Sequence, residues 1–131
     1  MDMPQPFNTD KLPKPKGPYS QAVKAGKRGG FLFVSGLAAV NPGTGEPCRG
    51  PIHEQVRLTL DNLKTLLEEA GASLAQVVKT TVYLADMEHF QAMNEIYATY
   101  FPHDPPARTT IQAARLPLDF LVEIDAIAWV A

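Results

Sequence analysis

The chain has 131 residues, 45% of them hydrophobic and 20% charged, with a formal net charge of -2. That size and balance fit one domain able to bury its own core. A single cysteine, Cys48, excludes an intrachain disulfide, and no apolar run is long enough to span a bilayer as a helix. A free thiol fits a reducing compartment, and the polar, proline-rich start lacks the apolar stretch of a signal peptide, so a cytoplasmic protein with no membrane partner is expected. Charge is uneven along the chain. Lys11, Lys14, Lys16, Lys24, Lys27 and Arg28 precede residue 30 against Asp2 and Asp10, and every other acid follows. A basic arm can touch RNA through phosphates, but the acidic body repels a polyanion and no basic stripe carries interleaved aromatics. Nucleic acid is not expected as a partner.

Residues 1–16 carry Pro4, Pro6, Pro13 and Pro15 and read as an extended arm on a single domain spanning 1–131. Residues 19–25 suit a first strand. Gly26, Gly29 and Gly30 enclose Lys27 and Arg28 in a turn, since glycine accepts positive φ cheaply. Residues 31–35 follow as a strand that is apolar on both faces, and 41–47 (NPGTGEP) as a loop. The clearest helix is 52–70, where Val56, Leu60, Leu63, Leu67 and Ala70 share one face and Gly71 supplies a stop. Residues 77–84 are rich in β-branched side chains and read as a strand. Asp86 is placed to cap a second helix through Phe90, Met93, Tyr97 and Phe101, ended by Pro102, Pro105 and Pro106. Residues 108–114 and 121–130 are strands joined by Leu116-Pro117-Leu118-Asp119.

The order β-β-α-β-α-β-β predicts an α+β domain with one mostly antiparallel sheet and two helices on one face. The other face is apolar too: Leu121, Ile127 and Trp129 alternate with the core set of the last strand. Two helices cover one face only, so further copies of the chain are expected to cover the second, as a homo-oligomer. The alternative is a two-layer monomer with scattered apolar side chains on its surface.

His53, His89 and His103 lie far apart with no cysteine or histidine at ligand spacing, so no metal site is expected. No phosphate loop or nucleophile elbow is present. Alternation puts Arg108, Thr110 and Gln112 on one face of their strand, pointing away from the helices, with Glu123 and Asp125 oriented alike on the next strand of one hairpin. Two readings stand. Arg108 forms a structural salt bridge to Glu123 or Asp125, or it grips a small carboxylate bidentately in a cleft. Tyr19 is an interface aromatic or a ligand contact; spacing favours Asn94 as a solvent-facing helix residue and Phe90 as ordinary core over a role in the site.

The stretches GPYSQAV, FVSG, LDNLKTLLEEAG, VVKTTVYLADMEHF, MNEIYATYF, PARTT and ARLPLDFLVEIDAIA resemble, in order and spacing, the reactive intermediate deaminase (Rid, YjgF) family, also labelled endoribonuclease L-PSP. The resemblance runs from Gly17 to Ala128. It implies a chorismate-mutase-like fold and a homotrimer with a central barrel-like core and clefts between neighbours. It also implies hydrolysis of enamine and imine acids such as 2-aminoacrylate to a 2-keto acid and ammonia, with no cofactor. By the same resemblance, the carboxylate-binding arginine falls on Arg108 and the acidic water-handling residue on Glu123. Tyr19, Ser35, Gly36, Phe90, Asn94 and the backbone of Thr110 contact substrate. Departures from the family pattern are Leu37 for glutamine, Thr110 for cysteine and Gln112 for glutamate or valine. Two other functions remain open: a regulatory module that binds a small carboxylate without turnover, and a ribonuclease or translation inhibitor.

Overall fold

The computed structural model describes residues 3–26 and 29–131. Helix α1 (Ile52–Glu69) forms where the apolar spacing demands it, and Val56, Leu60, Leu63 and Leu67 are wholly removed from solvent. It ends in a Schellman turn. Gly71, at φ +81°, donates its N–H to Glu68 O at 3.1 Å, and Ala72 donates to Leu67 O at 2.8 Å. Helix α2 (Phe90–Tyr100) is shorter and follows a single 3-10 turn, Met87–His89. The Asp86 carboxylate accepts from Glu88 N–H at 2.9 Å, so Asp86 caps that turn and the α-helix begins one turn later than expected.

Among the described residues six strands, β1 (Gln5–Phe7), β2 (Ala22–Ala25), β3 (Gly30–Leu37), β4 (Val77–Leu84), β5 (Ala107–Gln112) and β6 (Val122–Val130), form one sheet in the order β1-β2-β3-β6-β4-β5. All pairs are antiparallel except β4–β5. That pair is parallel because α2 carries the chain back along the sheet before β5 starts. Both helices lie on one face. Leu32, Val34, Val82, Leu84, Ile124 and Ala126 join their apolar stripes in one cluster. The fold is the expected α+β arrangement. No helix among the described residues is long and apolar enough to cross a membrane.

The N-terminal arm contributes an edge strand, β1, which the proline content conceals. Gln21 anchors it: buried Oε1 accepts from Thr9 N–H at 2.7 Å, and Nε2 donates to Thr9 O and Pro13 O at 3.2 and 3.0 Å. The strand expected from residue 19 pairs only from Ala22 onward. Of the expected glycine turn, Lys27 and Arg28 lie outside the described residues. The second sheet face is apolar and open. Phe31, Phe33 and Trp129 remain 41%, 45% and 44% exposed, with Phe31 opposite Trp129 and Phe33 opposite Ile127.

Three expectations are overturned: the side-chain oxygen of Asn94 is buried, not turned to solvent, Phe90 is exposed at the edge of the core, and the final hairpin is absent. β5 and β6 do not form a hairpin, because β4 lies between them. Arg108 sits level with Thr80 on β4, Thr110 with Val82 and Gln112 with Leu84. Level residues of paired strands share a face, and Thr80, Val82 and Leu84 are buried under the helices. The polar set of β5 therefore points toward the helices, not away from them. Glu123 and Asp125 alternate with buried Val122 and Ile124 and point to the opposite face.

Candidate functional site

The candidate residues fall into two groups on opposite faces of the sheet. The first surrounds Arg108. Its guanidinium carbon lies 4.8 Å from the centre of the Tyr97 ring and 5.6 Å from that of Phe90, and Nη1 approaches the Met93 sulphur at 3.9 Å. All three neighbours come from α2, where positions 90, 93 and 97 share one face. Tyr97 is held in turn by a 2.7 Å hydrogen bond between its hydroxyl and that of Thr80, which is fully buried. Burial raises the Tyr97 pKa, against the opposing influence of the Thr80 bond and the Arg108 charge, so the phenol stays neutral.

Among the described residues Arg108 makes no ion pair. The alternative of a salt bridge to Glu123 or Asp125 is not realised within one chain, since those carboxylates lie across the sheet. The same two elements, α2 and β5, carry two buried polar atoms without a partner among the described residues: Asn94 Oδ1, one turn on from Phe90, and Thr110 Oγ1, two residues on from Arg108. Buried polar atoms are nearly always paired. A half-open cation with aromatic walls is suited to a small anionic group, and an unpartnered oxygen on each of the two elements that frame it can accept from a donor that such a group carries.

The second group lines an open cavity of about 660 Å³, to which Tyr19, Ser35, Gly36, Leu37, Leu118 and Glu123 all contribute. The β3–β6 register slips between Val34 and Leu37, as a bulge would make it, and this places Gly36 against Glu123. A Cβ built on Gly36 would come within 2.9 Å of Glu123 Cδ and closer still to Oε2. Only glycine leaves that carboxyl its place. Ser35 lines the cavity while held in place: its Oγ donates to Ser20 O at 2.6 Å, tying β3 to the segment that presents Tyr19. Burial, and secondarily the nearby Asp125 charge, raises the Glu123 pKa. Asp125 itself accepts the Tyr83 hydroxyl at 2.8 Å, and this bond, with burial, raises the Tyr83 pKa. A carboxyl tuned toward neutrality and facing a cavity suits proton transfer.

Sequence reasoning thus named residues of both groups and mistook their relation. It passed over Tyr97 and Met93, whose helical spacing reads as core. It also passed over Leu118, at the rim of the same cavity.

A family model described as endoribonuclease L-PSP matches residues 9–130. A RutC family protein of Pyrococcus abyssi is 51% identical over 121 residues, covering 92% of this chain and 93% of that protein. The chloroplastic Reactive Intermediate Deaminase A of Arabidopsis thaliana is 44% identical over 121 residues, covering 92% of this chain and 63% of that one. Among solved structures, Escherichia coli TdcF with bound serine superposes with a TM-score of 0.86 at 36% identity, covering 97% and 99% of the two chains.

Proposed function

Because this chain belongs to the reactive intermediate deaminase (Rid, YjgF) family, whose family model carries the description endoribonuclease L-PSP, we propose that it hydrolyses small 2-imino acids, and the enamine acids that tautomerise to them, into 2-keto acids and ammonia. A reactive intermediate deaminase among its relatives supports a deaminating hydrolase. The observation that carries the reading is the separation of Arg108 from Glu123 by the sheet. One chain offers, on one side, a guanidinium without an ion pair among the described residues and, on the other, a carboxyl of raised pKa. Neither half suffices for hydrolysis. A site that uses both takes Arg108, Thr110, Phe90 and Asn94 from one copy and Glu123, Tyr19, Ser35 and Gly36 from the next. The open apolar face around Phe31, Phe33 and Trp129 supplies the surface for such an assembly. A closed homotrimer with three shared clefts is the arrangement we propose.

The chemistry asks little of the protein, because an iminium carbon is already electrophilic. Arg108 holds the substrate carboxylate by charge-assisted hydrogen bonds. Glu123 takes a proton from water as the oxygen attacks C2, and the C=N π pair moves to nitrogen. The resulting adduct carries one hydroxyl and one amino group on C2. Glu123 returns the proton to that nitrogen, the C–N bond breaks, and ammonia leaves as the hydroxyl oxygen closes the new C=O and gives its proton to Glu123, from which the departing ammonia takes it as ammonium. Iminium plus water gives keto acid plus ammonium, and no electron acceptor or cofactor enters. Serine bound to TdcF is a small amino acid whose carboxylate has the chemistry Arg108 is free to bind.

The test uses 2-aminoacrylate generated in situ by a serine dehydratase, with pyruvate release measured above the uncatalysed rate. Replacing Arg108 with Ala removes about two charge-assisted hydrogen bonds, about 1.5–3 kcal/mol each. If both persist in the transition state, the rate falls roughly 10²–10⁴-fold. Wild-type turnover in Arg108→Ala contradicts the assignment. The family description favours RNA cleavage as a second reading. RNA cleavage that persists in a preparation inactive on imines would support it.

A further inference from the structure

The loop leading into β6 carries a strained residue that the proposed chemistry has not used. In the Pro117–Asp119 turn, Leu118 has φ +54° and ψ +21°, and Asp119 follows at φ +57°. Two successive left-handed residues without a glycine are uncommon, and leucine is among the side chains least suited to the region. The turn is braced on both sides. Arg49 Nη1 donates to Leu118 O, and the Arg49 guanidinium lies 5.7 Å from the ring centre of buried Phe120. Arg115 grips Asp119 through Nε and Nη2 at 2.8 and 3.2 Å. Asp119 N–H closes on Leu116 O at 3.0 Å, and Leu116 is buried.

All this bracing holds a side chain that is 57% exposed. Leu118 therefore returns little to the core in exchange for its backbone, and strain of this kind concentrates at working sites. Its place is the rim of the cavity that also holds Glu123, Gly36 and Leu37. Resting on the imine-hydrolase reading above, we propose that Leu118 is a specificity-determining residue. With Leu37 it forms an apolar wall that receives the substrate side chain, so that the site prefers imino acids with longer apolar side chains over the methyl-bearing one. The carboxylate goes to Arg108, C2 lies at Glu123, and the side chain extends toward the Pro117–Asp119 turn.

The experiment compares imines of leucine and alanine, each released in situ by a flavin amino-acid oxidase with catalase present, and reads kcat/KM for keto-acid formation. The variant is Leu118→Asn, because asparagine tolerates positive φ and lacks the apolar wall. Its melting temperature and oligomeric state should match or exceed those of the wild type, while the leucine-to-alanine ratio of kcat/KM falls about tenfold, in the range that one apolar contact confers. Leu118→Met, which restores an apolar wall, should restore the ratio. An unchanged ratio overturns the proposal, as does loss of assembly in Leu118→Asn, which would make Leu118 an interface residue. A wild type that hydrolyses neither imine instead sinks the enzymatic reading itself, so the two failures are distinguishable.

Discussion

Gly36→Ala tests the site at the point where the backbone makes room for the chemistry. A methyl group there would sit 2.9 Å from Glu123 Cδ, well inside ordinary contact distance, and nearer still to Oε2. Gly36 is not at positive φ, so the backbone itself accepts alanine. The clash falls on the end of a side chain, which can swing aside. Stability should therefore hold or rise, since Gly→Ala at a compatible φ gains about 0.4–1 kcal/mol from the unfolded chain. The carboxyl, however, must move by about 1 Å, and a displacement of that size at a reacting group costs up to about 10²-fold. We expect kcat for imine hydrolysis to fall about 10–100-fold with KM nearly unchanged, because Arg108 binds the substrate from a neighbouring copy. The assay is steady-state keto-acid release beside a thermal melt. A folded Gly36→Ala protein with wild-type kcat would refute the placement of Glu123 as the proton-transfer group.

Other outcomes follow from the same geometry. Glu123 titrates above its ordinary value because burial disfavours its charge. Its ionisation therefore costs stability, a cost that is absent below the unfolded pKa and grows as pH rises through the raised folded value. Glu123→Gln should melt higher than wild type near neutral pH and equally in acid, while losing turnover. A lower melting temperature at neutral pH would show that the charge is stabilised instead. Wild-type activity should fall as pH drops through that same raised value, since the base must be ionised; a pH profile flat through the carboxylate range contradicts this. Tyr97→Phe keeps the ring under Arg108 and loses only the Thr80 hydrogen bond, so stability should drop about 1 kcal/mol with KM little changed. Tyr97→Leu also removes the cation–π contact, and KM should rise about 3–10-fold. Equal KM in the two variants would leave Tyr97 with a purely structural role.

Much of the fold was legible because periodicity reports burial. The spacing of Val56, Leu60, Leu63 and Leu67 and the two-sided apolar strands needed no structure to interpret. Strand order was not legible. Residues 108–114 and 121–130 are neighbours in sequence, which suggested a hairpin, yet β6 inserts between β3 and β4 and leaves β5 at the sheet edge. Polarity then misled the facing of Arg108. At an edge beside a short helix, the inward set can be polar: Gln112 accepts Met87 N–H at 2.7 Å, and Arg108 finds aromatic walls instead of water. The family resemblance named both halves of the site, but no spacing rule says that they lie across a sheet from one another. Leu118 left no trace at all, because a leucine at positive φ has the composition of any other leucine, whereas Gly71 at a helix end announces itself.

Mixing inactive subunits addresses the shared cleft most directly. Arg108→Ala and Glu123→Gln proteins, each inactive alone, are denatured together in equal amounts and refolded. If each site draws one residue from each of two copies, random reassembly in a closed ring leaves about a quarter of the sites intact, and about a quarter of wild-type activity returns. No recovery beyond that of the separately refolded variants, with mixed assemblies present, would mean that Arg108 and Glu123 do not act across a subunit boundary.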